Sequence, residues 1–124
     1  MRATHPNQLT DLMLVALNEG NINALMALYE DSAILANTVE QPLIGRTVIR
    51  ERMTKFLKLN PSFEVHHADV AHAGEIALIQ SRWSIHWAKA KGKATTSKID
   101  LNVVARRQEN GHWLIVIDRP TEVP

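Results

Sequence analysis

The stretch Leu14-Val-Ala-Leu-Asn-Glu-Gly-Asn-Ile-Asn-Ala-Leu-Met-Ala-Leu-Tyr-Glu-Asp-Ser-Ala-Ile-Leu35 decides the fold of this chain. Leu9, Leu12, Met13, Ala16 and Leu17 recur at helical spacing, so a first helix runs from near Pro6 to Gly20. Proline suits a first helical turn, and glycine suits the left-handed residue that ends a helix. Asn21 then caps a second short helix lined by Ile22, Leu25, Met26 and Tyr29. The acidic turn Glu30-Asp-Ser32 leads into a short apolar strand, Ala33-Ile-Leu-Ala36.

Beyond this stretch, 37–43 reads as a loop and Thr47 to Lys58 as a third helix. Val48, Ile49, Met53, Phe56 and Leu57 form its apolar face, with Arg50, Arg52, Lys55 and Lys58 outward. Asn60-Pro61 stops it, because proline disfavours helical geometry in the residue before it. From Ser62 the apolar period changes to two, giving strands near 63–72, 75–88, 94–107 and 112–118. The glycine-bearing connections Ala73-Gly74, Lys89-Ala-Lys-Gly-Lys93 and Gln108-Glu-Asn-Gly111 make these strands antiparallel hairpins. Helices followed by a meander indicate an α+β fold with the helices on one face of a sheet.

Alternation separates the two faces of that sheet. Ala77, Ile79, Trp83, Ile85 and Trp87, then Ile99, Leu101, Val103 and Ala105, belong to the helix-covered side. The last strand is apolar on both faces, with Trp113, Ile115 and Ile117 set against Leu114 and Val116. An outer face that is half apolar is expected to be a homodimer interface.

Composition bounds the function. The chain has 124 residues, is 45% apolar and 22% charged, and carries a net charge of +1. That length is one domain, expected over 1–124 with a flexible lead at 1–5 and a tail at 120–124. So small a charge argues against nucleic-acid or membrane-surface partners. Cysteine is absent, which excludes disulfides and thiolate chemistry. No signal-like or membrane-length apolar run occurs, so the expectation is a cytoplasmic protein without a cofactor. Metal binding is not expected either. His66 and His72 would lie ~20 Å apart on an extended strand, and His67 or His86 would need Asp69 or Asp100 across strands. Lys89, Lys91, Lys93 and Lys98 cluster at one hairpin and read as a solvated turn.

Five segments carry a family resemblance: Ala16-Leu-Asn-Glu-Gly-Asn21, Leu25-Met-Ala-Leu-Tyr-Glu-Asp-Ser-Ala33, Ile44-Gly-Arg-Thr-Val-Ile-Arg50, Ala105-Arg-Arg-Gln-Glu-Asn-Gly-His-Trp113 and Ile117-Asp-Arg-Pro120. In this order the chain resembles the nuclear transport factor two–like superfamily, which includes SnoaL-like cyclases and ketosteroid isomerases. The resemblance implies a cystatin-like cone, with three N-terminal helices packed on a strongly curved, mainly antiparallel sheet. It also implies a pocket between helix and sheet, and usually a homodimer. The steroid enzymes use a carboxylate base after the first strand, a tyrosine on the first helix and a protonated acid on a late strand. Carried over, these positions fall on Asn37, Met13 and about Val103. None can do that chemistry.

The expected ligand-binding residues are therefore Met13, Tyr29, Asn37, Phe56, Trp83, Trp87, Val103 and Asp118, with no assigned catalytic residue and no metal. Trp83 and Trp87 would form an aromatic wall for a hydrophobic small molecule, or simply core. Asp118 and Arg119 would form a strand-end ion pair, or else orient a ligand. The functional expectation is a small-molecule-binding protein with an apolar pocket. The alternatives are a cyclase, isomerase, dehydratase or hydrolase acting on a hydrophobic substrate, and a dimeric interaction module.

Overall fold

In a computed structural model of the chain, the described residues are 2–37, 41–90 and 93–123, without the side chains of 88–90 and 93–94. The 38–40 part of the first loop and residues 91–92 of the lysine-bearing hairpin lie outside them. A single 3-10 turn at Pro6–Gln8 feeds α1 (Leu9–Glu19), followed by α2 (Ile22–Met26). Gly20 ends α1 with φ of 64°, and the Asn21 side chain accepts a hydrogen bond from the Ala24 amide at 3.0 Å. Both follow from the opening stretch. Then come β1 (Tyr29–Leu35), β2 (Leu43–Ile44), α3 (Arg46–Leu57), β3 (Ser62–Ala73), β4 (Ile76–Ala90), β5 (Lys93–Arg107) and β6 (Trp113–Glu122).

Four expectations change. Tyr29 opens β1 instead of closing α2: the helix stops at Met26, and the Ile115 amide takes the Leu28 carbonyl at 2.7 Å. A sheet bond to β6 outweighs one further turn of a very short helix. The third helix is not N-terminal, because β1 and β2 precede it. The sheet is mixed, in the order β2-β1-β6-β5-β4-β3, with β1 parallel to β6 and every other pair antiparallel. Finally, segments near both ends join the fold. Ala3 is buried and bridges Trp113, and β6 continues through Pro120 to Glu122 where a tail was expected.

Register decides what each face carries. Between Val104 and Ala105, whose partners are Ile117 and Ile115, Val116 is an extra residue on β6. A bulge of this kind reverses the side-chain alternation beyond it. Ile117 consequently falls on the outer face opposite Val104, and Asp118 falls on the inner face opposite Val103. Strict alternation had given the reverse. A second register shift, between Val65 and His67 in β3, adds to the curvature of the sheet.

The inner face meets α1 and α3 over a core that includes Leu9, Leu25, Tyr29, Ile49, Ile79, Trp83 and Ile115. One anchor was invisible in the sequence. The Asn18 side-chain amide donates to the Phe63 carbonyl at 3.0 Å and accepts from the Phe63 amide at 2.7 Å. It thereby acts as a short strand against the start of β3. Among the described residues no helix is long and apolar enough to cross a membrane. Replacing Asn18 by Ala strands both backbone groups of Phe63, so we expect a loss of about 1–2 kcal/mol in urea unfolding. An unchanged midpoint would show that the anchor is idle.

Candidate functional site

A cavity of about 340 Å³ lies between α1, α3 and the inner sheet face. Its deep end is formed by buried Met13, Leu25, Tyr29, Trp83, Leu101 and Asp118. At its rim stand partly exposed Asn37, Arg52, Met53, Trp87 and Ser97, together with exposed Glu122. Four of its aromatic rings pack in series, edge to face. Trp83 and Phe63 are 6.3 Å apart by centroid, Phe63 and Phe56 5.7 Å, and Phe56 and Trp87 5.3 Å. Both indole N–H groups are already committed. Trp83 donates to Ser81 Oγ at 2.7 Å and Trp87 to Ser97 Oγ at 3.0 Å. Locked indoles present fixed apolar surface, which is what a preformed pocket wall requires.

Asp118 sits at the deep end with 5% of its surface exposed. The Tyr29 hydroxyl donates to its Oδ2 at 2.5 Å, while its Oδ1 is buried without a hydrogen-bond partner among the described residues. Tyr29 is itself placed by the start of β1, where Arg46 Nη1 donates to its carbonyl at 3.3 Å. Burial pushes the Asp118 carboxyl up to about 6, against the Tyr29 hydrogen bond, which pulls it down. Burial first, and then the charge of Asp118, hold the Tyr29 hydroxyl well above its ordinary range. Tyr29 therefore stays protonated and donating. The expected Asp118–Arg119 pairing does not form, because the two side chains lie on opposite faces of β6 beyond the bulge.

Of the eight expected residues, seven line the cavity: Met13, Tyr29, Asn37, Phe56, Trp83, Trp87 and Asp118. Val103 does not. It is buried in the sheet, and its register partner Asp118 brings an acid to the cavity instead. A tyrosine and an acid, both missing from the carried-over positions, thus meet from β1 and β6. Arg52, read as outward, turns to the rim. Phe63 was missed as a wall residue, although its place at the start of a strand following the third helix was a usable signal. Among the described residues no group of three or more metal-ligating side chains gathers. The histidines take other partners: His67 pairs with Asp69 at 2.7 Å, and His86 with Glu64 at 3.1 Å.

The buried acid has a stability signature. Its folded-state value lies above the ordinary 3.8, so the folded protein holds a proton that the unfolded chain has already released. Stability is fully present below about pH 4 and falls as pH rises through about 6, by roughly 3 kcal/mol in all. Asp118→Asn keeps an acceptor for Tyr29 and removes the charge. Relative to wild type it should gain melting temperature steadily from pH 4 to pH 7; parallel curves would refute the burial argument.

The chain's relatives agree with this architecture. The model of the SnoaL-like domain family matches residues 10–114. No curated protein matches the sequence. Among solved structures, a ketosteroid isomerase-like protein from Erwinia carotovora atroseptica superposes with a TM-score of 0.80 at 17% identity, covering 95% of this chain and 93% of that one. An uncharacterized protein with a cystatin-like fold from Caulobacter vibrioides gives 0.82 at 19%, covering 95% and 87%. An NTF2-like protein with a cystatin-like fold from Novosphingobium aromaticivorans gives 0.80 at 16%, covering 94% and 78%. At such identities the likeness is one of fold, and the family match covers most of the chain: this protein belongs to the SnoaL-like domain family.

Proposed function

We propose that the domain binds a hydrophobic small molecule between its helices and its inner sheet face. The observation that carries this reading is the Asp118 carboxyl, held at the deep end of an otherwise mainly apolar cavity with one oxygen unpartnered. A fold seeking only stability would put an aliphatic side chain there, because a buried unpaired polar atom costs about 1–3 kcal/mol. The volume is at the small end for ligand pockets and suits one or two fused rings.

The pocket reading is tested with indole and naphthalene as probes in thermal unfolding. A probe at a hundred times its dissociation constant adds about 2.7 kcal/mol, which raises the melting temperature by several degrees. Ile99→Trp fills the cavity from its half-buried rim and should abolish the rise while the variant stays folded. A rise that survives in Ile99→Trp would place the binding elsewhere.

One observation favours an enzyme as the second reading. A carboxyl at about 6, bonded to a protonated tyrosine, can take and return a proton near neutral pH. Cyclisation, isomerisation, dehydration or hydrolysis of a hydrophobic substrate would each use such a group.

The outer face supports a homodimer. Cross-strand neighbours Ala71, Leu78, Val104, Ile117, Ile34 and Ile44 form one apolar row across all six strands. Leu78 and Ile44 in that row are exposed. Two arginines beside it are balanced within the chain, Arg82 holding Asp100 at 2.8 and 3.0 Å and Arg106 holding Glu30 at 2.9 Å twice, which lowers the like-charge repulsion a second copy would meet. Light scattering should give twice the monomer mass for the wild type and the monomer mass for Val104→Glu, at the middle of the row. A wild-type monomer at tens of micromolar would remove the dimer.

A further inference from the structure

Resting on the pocket reading above, we propose that the ligand is a hydrophobic amine, bound as its ammonium ion with the nitrogen at the Tyr29–Asp118 end of the cavity. Asp118 accepts one hydrogen bond, from a neutral hydroxyl, and among the described residues no Lys, Arg or His pairs with it. Other carboxylates do find arginines: Glu30 and Asp100 each hold one through two bonds, and Asp31 and Glu75 each pair with one. The deep carboxylate is thus left uncompensated in the place where compensation matters most, because a buried charge without a counter-charge is costly.

What the cavity lacks defines what it would take. An ionised carboxylate can only accept hydrogen bonds, so the complementary group is a donor. Among donors, a cation also supplies the missing positive charge. The walls suit it as well. Trp83, Phe63, Phe56 and Trp87 line the cavity, and aromatic faces attract an ammonium group while sheltering an apolar body. With their N–H groups tied to Ser81 and Ser97, the indoles offer a cation no competing donor.

Among the described residues, the titratable and charged groups lining the cavity besides Asp118 are Tyr29 from β1, Arg52 from α3 and Glu122 from β6. Tyr29 is neutral, and the other two carry opposite charges at the rim, where solvent screens them. Asp118 is therefore the group that sets the pH dependence of binding an amine whose own charge is constant below pH 8.

The test compares tryptamine with tryptophol, which carries a hydroxyl in place of the ammonium on the same bicyclic body. Calorimetric titration at pH 7.5 should show tryptamine binding at least tenfold more tightly. At pH 5, where Asp118 is mostly protonated, the tryptamine affinity should fall about tenfold while that of tryptophol holds. Asp118→Asn should erase the preference and its pH dependence, and the wild-type pH series stands alone if that variant fails to fold. Equal affinities, a preference for tryptophol, or a tryptamine preference indifferent to pH would overturn the amine and leave the pocket reading in place. Binding of neither probe, with indole and naphthalene also inert, would overturn the pocket reading and the amine together.

Discussion

One extra residue in β6 governs the site. With Val116 unpaired, the chain beyond it changes faces, so Ile117 joins the outer row and Asp118 enters the core. Without that bulge, an isoleucine would fill the deep end of the cavity and the carboxylate would lie on the outer face beside Asn102. The bulge also determines what Tyr29 is for. Opposite an aliphatic core its hydroxyl would be a buried liability; opposite Asp118 it closes a 2.5 Å hydrogen bond. A local irregularity of the backbone thus creates both the polar end of the pocket and its only satisfied contact among the described residues.

The two faces of the sheet handle charge in opposite ways. Outside, Arg82 with Asp100 and Arg106 with Glu30 pair across strands with bidentate geometry, and the first pair is exposed on both sides and contributes little stability. Inside, one carboxylate is buried with a phenol and no cation. Burial raises its proton affinity toward neutrality; at Glu30 and Asp100 the arginine hydrogen bonds outweigh the same upward push and hold the carboxyl below its ordinary range. The surrounding aromatic rings and Ser-tethered indoles keep the walls rigid. Stability is therefore conceded at one point inside a well-packed core, the pattern expected where a site has been built into a scaffold.

Much of this was legible in the chain. Gly20 and Asn21 announce the joint between α1 and α2, because a left-handed end and a side-chain cap are short-range requirements. Period-two alternation assigned the inner faces of β4 and β5, and with them Trp83 and Trp87 as pocket wall. Phe56 also reached the cavity through helix periodicity, while Met13 and Asn37 were named from the family resemblance and line it too. The failures share a cause. Tyr29 was given to a helix that a parallel strand pairing took over, and Val103 was named where its cross-strand partner supplies the acid. Arg52 was read as a solvent-facing position of an amphipathic helix, yet that edge of α3 overhangs the cavity mouth. Each miss depends on a contact between segments far apart in sequence.

The amino-acid sequence by itself determined the fold class, the order of elements, the inner face of the meander and several of the residues that line the pocket. Those properties come from turn chemistry, capping and hydrophobic period, all written within a few consecutive residues. The tertiary structure alone decided that β1 runs parallel to β6, that Val116 is left out of register, and that Tyr29 and Asp118 meet. Register between strands is a bargain among whole faces of the sheet, so no single segment encodes it. A shift of one residue turned a strand-end carboxylate into a buried acid.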